Sequence, residues 1–355
     1  MRAVKCTRWK ISLIFIAITT SVVLCMHAFW TNDIVKIEEP LQNYEVRHKM
    51  KDTSSVSRCN KSSKNLIGYE SDNRDKALII YSEMPKCGSG TFVRILSDVC
   101  KYSKHYRTKY TWPTPSPVEL QSVESKQKYV SSKFLPLRPY IFMGHLSFLD
   151  FIELGYKQPL YIDIVRDPVE RWISLYYYKR VSPFPIKRLN LTRKERNRTM
   201  DNCMKIWISL TGCLGRSIKA TADCLKTKPY MGCKDEKIVS SYPTWFSGQY
   251  INSSLMSLQR AKTNIEKYYT FIGITEHFEE TLKAMETILP SFTDEFTRMY
   301  KTTRNQNVGH NKVRPSDESI NVIKELLSDD YDLYGFIRQR FYKHLNCLAI
   351  NITKH

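Results

Sequence analysis

Ala77-Leu-Ile-Ile-Tyr-Ser-Glu-Met-Pro-Lys-Cys-Gly-Ser-Gly-Thr91 is an apolar run that empties into a loop of Lys, Gly, Ser and Thr. Leu160-Tyr-Ile-Asp-Ile-Val-Arg-Asp-Pro-Val-Glu-Arg-Trp-Ile-Ser174 is a second apolar run, ending in Arg-Asp-Pro. Each reads as a buried parallel strand running into a helix. Small residues let a loop backbone close around an anion, and the exposed amides of the next helix's first turn point at it. A strand followed by a capped helix, without a ligand, accounts for either junction alone. Two of them in one chain point to a ligand phosphorylated at both ends.

The details sharpen this reading. A Walker A loop places its lysine after the glycines, whereas Lys86 precedes Gly88 and Gly90 and so sits at the mouth of the loop. In the second junction Asp167 suits the N-cap and Pro168 the first helical position. Arg166 then projects from the strand's C-terminal edge, where ligands bind in open α/β sheets. Ser174 lies about two turns into the helix, close enough to share a phosphate with Arg166. A sugar or nucleoside kinase is disfavoured by the misplaced lysine and by the lack of an evident magnesium-binding carboxylate pair.

Further strands are expected at Tyr140-Ile-Phe-Met143 and Thr270-Phe-Ile-Gly-Ile274, beside Leu78–Tyr81 and Tyr161–Val165. Helical patterns follow at about 91–103, 168–180, 277–289, 316–328 and 332–345. Strands alternating with helices imply an α/β domain, a central parallel sheet flanked by helices, over residues 76–350.

The N-terminus bears on compartment. Ile11–Trp30 is a 20-residue run without Asp, Glu, Lys or Arg, enough to cross about 30 Å of hydrocarbon. Arg2, Lys5, Arg8 and Lys10 precede it and Asp33, Glu38 and Glu39 follow. This predicts a cytoplasmic tail (1–10), a transmembrane signal anchor (11–30) and a lumenal remainder. A cleaved signal peptide is the rival, but His27, Phe29 and Trp30 make a poor small-residue cleavage site. Residues 31–75, polar and aperiodic, read as a stem.

Cysteines and sequons fit a lumenal destination. Asn60, Asn190, Asn197, Asn252 and Asn351 each begin an Asn-x-Ser/Thr acceptor, and eight of the ten cysteines lie beyond the apolar run. Cys203, Cys213, Cys224 and Cys233 cluster in what reads as a polar, irregular stretch. Their connectivity is open, and no Cys-x-x-Cys pair supports a zinc site. Cys87 lies inside the anion loop, where a positive field lowers a thiol's pKa; it reads as a small packed residue.

Charge speaks to partners. The chain carries 55 Lys+Arg against 35 Asp+Glu, a formal +20, which attracts polyanions. The excess is densest from Lys179 to Arg198, where Lys179, Arg180, Lys187, Arg188, Arg193, Lys194, Arg196 and Arg198 face only Glu195. Any one of these reads as a solvated cation. As a run they read as a surface for acidic sugar, since nucleic acid is not expected in the secretory lumen. In Tyr140-Ile-Phe-Met-Gly-His-Leu-Ser-Phe-Leu-Asp150 the apolar run breaks at Gly144, so His145 emerges at a strand end, where imidazole can serve as a base. His105, His277, His310 and His344 lack such a context.

The paired junctions resemble the sulfotransferases that use 3′-phosphoadenosine 5′-phosphosulfate, and the match narrows with Gly-His-Leu-Ser-Phe-Leu-Asp150, Tyr-Ile-Asp-Ile-Val-Arg-Asp-Pro168 and Tyr-Tyr-Tyr178. Gln259-Arg-Ala-Lys262, Tyr269-Thr-Phe-Ile-Gly-Ile-Thr-Glu276 and Ile288-Leu-Pro-Ser-Phe292 continue it in order. Over about residues 76–345 the chain resembles the uronosyl 2-O-sulfotransferases. The resemblance implies a P-loop-like fold in which Lys86, Cys87, Gly88, Ser89, Gly90 and Thr91 hold the 5′-phosphosulfate and Arg166 and Ser174 the 3′-phosphate. It implies Lys312 in a nucleotide-covering loop, His145 as base, Lys86 beside the bridging oxygen, and no metal. The basic run puts Arg180, Lys187 and Arg188 toward the acceptor, and the resemblance favours disulfides Cys203–Cys213 and Cys224–Cys233. It implies a Golgi membrane enzyme acting on a glycosaminoglycan or related glycan, and admits a homotrimer. A lumenal polyanion-binding protein that keeps the fold without turnover is the alternative. Two positions depart from the pattern: Met143 stands where the heparan sulfate enzyme has a second histidine, and Glu83 where it has an arginine that contacts substrate. A carboxylate at 83 would repel a sulfated sugar, which points to an acceptor other than N-sulfated heparan sulfate.

Overall fold

The computed structural model describes residues 78–102, 106–111, 114–115, 119–134, 140–230, 241–249, 254–289, 292, 295–303 and 312–352. The expected anchor (11–30), stem (31–75), Asn60, Asn252, Cys233, His105 and His310 lie outside them. Among the described residues no helix is long and apolar enough to cross a membrane.

The sheet has five parallel strands in the order β2-β3-β1-β4-β5. They are β1 (Leu78–Tyr81), β2 (Arg107–Tyr110), β3 (Tyr140–Met143), β4 (Leu160–Val165) and β5 (Tyr269–Ile274). Every residue of β1, β3 and β4 is buried, as strands covered on both faces require, and their unbroken apolar runs made them readable. β2 was missed because Arg-Thr-Lys-Tyr is neither apolar nor alternating. It is the sheet edge, where exposed Arg107 and Tyr110 and a lysine between them block further pairing.

The helices that position the site are α1 (Ser89–Tyr102), α3 (Pro168–Val181) and α10 (Phe278–Ile288), each following a strand. Between β2 and β3 lies α2 (Val123–Lys133), capped by Ser122. After α3 comes a run of helices, α4 (Pro183–Leu189), α5 (Arg193–Arg196), α6 (Met200–Leu210) and α7 (Ile218–Lys226), so the stretch around Cys203, Cys213 and Cys224, expected to be irregular, is largely helical. Met200, Cys203, Met204 and Trp207 fall at helical spacing and are buried against Val169, Trp172 and Tyr176 of α3. Ile320 and Ile323 of α12 (Asp317–Leu326) complete this second core. The polar residues between these positions hid the stripe.

The same helices overturn the expected disulfides. Cys213, just beyond α6, is bonded to Cys224 of α7, with Cα atoms 5.9 Å apart. That excludes both Cys203–Cys213 and Cys224–Cys233. The physical reason is that Cys203 sits on the inward face of α6, whereas Cys213 follows the helix end and meets α7. Cys203 and Cys347 also take part in disulfides.

Helices α8 (Tyr242–Ser247), α9 (Ser254–Tyr268), α11 (Glu295–Thr303) and α13 (Ser328–Cys347) complete the described elements. α8 ends at Gly248 in the left-handed region, φ 68°. An added Cβ there would collide with the Phe148 carbonyl, beside the bond from Phe148 N–H to the Trp245 carbonyl. Gly248→Ala is therefore expected to destabilise the fold by about 2 kcal/mol or more, read as a fall of about 4–8 °C in Tm by calorimetry.

Candidate active site

The loop after β1 is tied down from below. Asp163, in the middle of β4 and fully buried, accepts hydrogen bonds from the Ser82 hydroxyl, from Met84 N at 3.2 Å and from Ile164 N at 2.8 Å. Burial raises its pKa to about 6 against these bonds, so it is ionised at neutral pH. Trp245 Nε1 donates to Ser82 Oγ at 3.3 Å. Arg171, buried on α3, clamps the other end: its Nε donates to the Pro85 carbonyl at 3.0 Å and its Nη1 lies 3.8 Å from Asp330. Between these ties Glu83, Lys86 and Gly88 adopt φ of 55°, 68° and 76°. Two non-glycine residues in that region are strain held by the surroundings. Ser89, Gly90 and Thr91 form the first turn of α1, with the Thr91 amide donating to the Gly88 carbonyl at 3.1 Å.

The second strand end is built as expected, with Asp167 capping α3 through Glu170 N at 3.0 Å. The Arg166 backbone is gripped by one phenol: Arg166 N donates to Tyr242 Oη at 3.0 Å, and that hydroxyl donates to the Arg166 carbonyl at 2.5 Å. The Arg166 side chain reaches Glu170 at 3.7 Å, and Arg314 donates to the other Glu170 oxygen at 2.5 Å. Ser174 lies one turn beyond Glu170 on α3 and is buried.

Lys86, Arg166 and Lys312 come together. Burial, Lys312 and Arg166 pull the Lys86 pKa down to about 8, and burial and Arg166 lower that of Lys312. The Lys86 ammonium also lies 4.0 Å over the ring of Tyr178. A cluster of desolvated cations of this kind is a candidate site for an anion. Cys87 is no thiolate there: burial pushes its pKa up to about 12 despite Arg171 and Arg166, and it packs 3.6 Å from Tyr242 Oη.

His145 stands beside this cluster. Gly144 is required before it, since a Cβ would press to 2.8 Å on the Thr111 carbonyl. His145 Nδ1 lies 2.6 Å from the Glu83 carbonyl oxygen, which fixes Nδ1 as the protonated nitrogen and leaves Nε2 to accept a proton. Burial and Lys86 lower its pKa, so the ring is neutral at pH 7. Among the described competitors, His277 bonds Tyr342 Oη at 3.1 Å and His344 is buried against Phe271.

Two expectations about the acceptor side are corrected. Glu83 is only 4% exposed, and burial and Asp163 push its pKa up to about 8. It is an uncharged buried side chain and presents no carboxylate to a sugar. Arg180 is 3% exposed, stacked 3.4 Å from the Tyr176 ring and donating to the Tyr176 carbonyl at 3.1 Å. It braces α3 against α6, because position 180 falls on the buried face of α3. Lys187, Arg188, Arg193, Lys194 and Arg196 are exposed, as are Asn190, Asn197 and Asn351. Among the described residues no group of three or more His, Cys, Asp or Glu side chains could hold a metal ion.

Sequence reasoning passed over Asp163, Arg171, Tyr242 and Trp245. An aspartate inside an otherwise apolar strand was a signal for the first; nothing marked Tyr242. Tyr242→Phe leaves the Arg166 N–H and carbonyl without their partner, expected to cost about 1–3 kcal/mol. Thermal unfolding and nucleotide calorimetry should both register the loss.

A model of the sulfotransferase family matches residues 70–337. Heparan sulfate 2-O-sulfotransferase 1 of Xenopus laevis is 25% identical over 333 residues, covering 88% of this chain and 84% of that one. Uronyl 2-sulfotransferase of Mus musculus is 26% identical over 275 residues, covering 74% and 62%. Among solved structures, a mouse sulfotransferase, SULT7A1, complexed with PAP aligns over 81% of this chain and 90% of that chain, with a TM-score of 0.34 and 16% identity. With its parallel sheet, its two anion-facing strand ends and a family match over most of its length, the chain belongs to the sulfotransferase family.

Proposed function

We propose that this protein moves sulfate from 3′-phosphoadenosine 5′-phosphosulfate to the 2-hydroxyl of a hexuronic acid in a glycosaminoglycan or related glycan. The observation that carries the reading is the gathering of Lys86, Arg166 and Lys312 at neighbouring strand ends with His145 beside them. The names of the relatives supply the acceptor class. The donor, when bound, supplies an activated sulfuryl group on its 5′-phosphate.

The residues divide the work. The loop amides and Lys86 take the 5′ end, and Lys86 offsets the charge that grows on the leaving bridging oxygen. Arg166 and Ser174 take the 3′-phosphate, with Lys312 over the nucleotide. His145 Nε2 takes the proton of the acceptor hydroxyl as the transfer proceeds in line. The exposed cations of the 187–198 stretch supply a field for the acidic chain. Residues 11–30 would anchor the enzyme in the Golgi membrane with its catalytic domain lumenal, where a homotrimer would suit repeated encounters with a long polymer.

Donor and acceptor roles separate by mutation. Lys86→Ala and Arg166→Ala should each abolish transfer, and Arg166→Ala should weaken binding of 3′,5′-adenosine bisphosphate by about 1.5–3 kcal/mol. His145→Ala should keep that affinity while losing about 10²–10⁴-fold in rate. Labelled-donor assays with heparan, chondroitin and dermatan acceptors, and calorimetry, read both. Unchanged nucleotide affinity in Arg166→Ala sinks the 3′-phosphate assignment.

The pH dependence follows from Lys86. Its pKa is depressed to about 8 in the free protein, so its charge is present below that pH and lost above it. A bound phosphate restores the charge. Nucleotide binding near pH 8 should therefore take up a proton, seen as buffer-dependent binding enthalpy, and affinity should fall as the pH rises through 8. Lys86→Ala should bind without that uptake.

A further inference from the structure

The proposed reaction leaves the side chain of Glu83 without a task. It holds a strained φ of 55°, its Oε2 is buried without a hydrogen-bond partner, and that oxygen lies 3.9 Å from His145 Nδ1. A carboxylate ion so placed would be an uncompensated buried charge. The carboxyl that acts on it most, Asp163, already spends its oxygens on Ser82, Met84 and Ile164. Glu83 therefore keeps its proton, in line with the pKa of about 8 that burial and Asp163 impose. The other titratable groups that feel it are Tyr81 of β1 and Tyr110 of β2, and Lys86 acts on the imidazole from the loop.

We infer that Glu83 is a positioning residue that acts through His145 as a hydrogen-bonding partner and not as a counter-ion: its main-chain carbonyl holds Nδ1–H inward, and its side-chain oxygen shares that proton once the ring becomes imidazolium. The inference rests on His145 being the base. In that step the acceptor O–H bond breaks and an N–H bond forms at Nε2. The electron pair of the O–H bond passes into the new O–S bond, and the S–O bond to the nucleotide breaks with its pair left on phosphate. Glu83 neither gains nor loses a proton. A charged carboxylate at 83 would raise the imidazole pKa and favour the protonated ring over the base. A neutral carboxyl avoids this, as protonated acids do in other apolar sites.

The test compares the full-length wild type with Glu83→Gln, Glu83→Leu and His145→Ala. It reads kcat and acceptor KM at saturating donor, calorimetric affinity for 3′,5′-adenosine bisphosphate, and the His145 tautomer by nitrogen NMR. Glu83→Gln, neutral and nearly isosteric, should stay within about twofold of wild-type kcat, since a neutral acceptor is replaced by another. Glu83→Leu should lose about tenfold in kcat, with acceptor KM and nucleotide affinity unchanged and the Nδ1–H tautomer kept by the main-chain carbonyl. If Glu83→Leu fails to fold, Glu83→Gln still decides through its rate. A Gln variant as slow as the Leu variant would mean that the ionised carboxylate is needed and would overturn the inference. Wild-type kcat in Glu83→Leu would overturn it too. Turnover retained in His145→Ala would instead remove the base assignment beneath it.

Discussion

The site depends on the buried carboxylate of Asp163. From the middle of β4 it gathers the Ser82 hydroxyl and the Met84 amide at the end of β1, and so fixes the anion loop to the neighbouring strand. That strand ends at Arg166, so one side chain sets the spacing between the two anion positions. An ion in a dry core is costly, and here three donors offset the cost. Arg171 and Tyr242 repeat the tactic from above, one gripping the Pro85 carbonyl and the other the Arg166 backbone. The functional cations are thus presented by groups that never touch the ligand.

This rigidity lets the site keep a charge arrangement it would otherwise relax. Lys86 is desolvated and crowded by Lys312 and Arg166. The ring of Tyr178 and the carboxylate of Glu170, shared by Arg166 and Arg314, soften the repulsion. Positive φ at Glu83 and Lys86 adds backbone strain of about 1–3 kcal/mol per residue. A doubly phosphorylated ligand bound as proposed would relieve the electrostatic part and draw part of its affinity from that relief.

The sequence made visible what depends on short-range pattern. Buried parallel strands are continuous apolar runs, and the caps at Asp167 and Pro168 are local chemistry, so β1, β3, β4, β5 and α3 could be placed closely. Position along the chain likewise put Lys86, Arg166 and His145 at strand ends. Long-range pairings escaped. Nothing near Glu83 in sequence announces Asp163 or His145, so its carboxyl was read as charged and facing sugar when it is neutral and buried. Arg180 was read with its charged neighbours, although its place on α3 turns it into the second core. The disulfide expectation failed because α6 and α7 were not seen, and the helices decide which sulfurs meet.

The central claim is that two strand ends, held at a fixed spacing by Asp163, receive the two phosphorylated ends of one nucleotide with His145 facing the acceptor. A crystal structure with 3′,5′-adenosine bisphosphate and a uronate-containing oligosaccharide tests it most directly. The account predicts the 5′-phosphate against Lys86 and the amides of Gly88–Thr91, and the 3′-phosphate against Arg166 and Ser174. It also predicts a uronate 2-hydroxyl within hydrogen-bond reach of His145 Nε2. A nucleotide bound in the reverse sense, or an acceptor hydroxyl remote from His145, would contradict it.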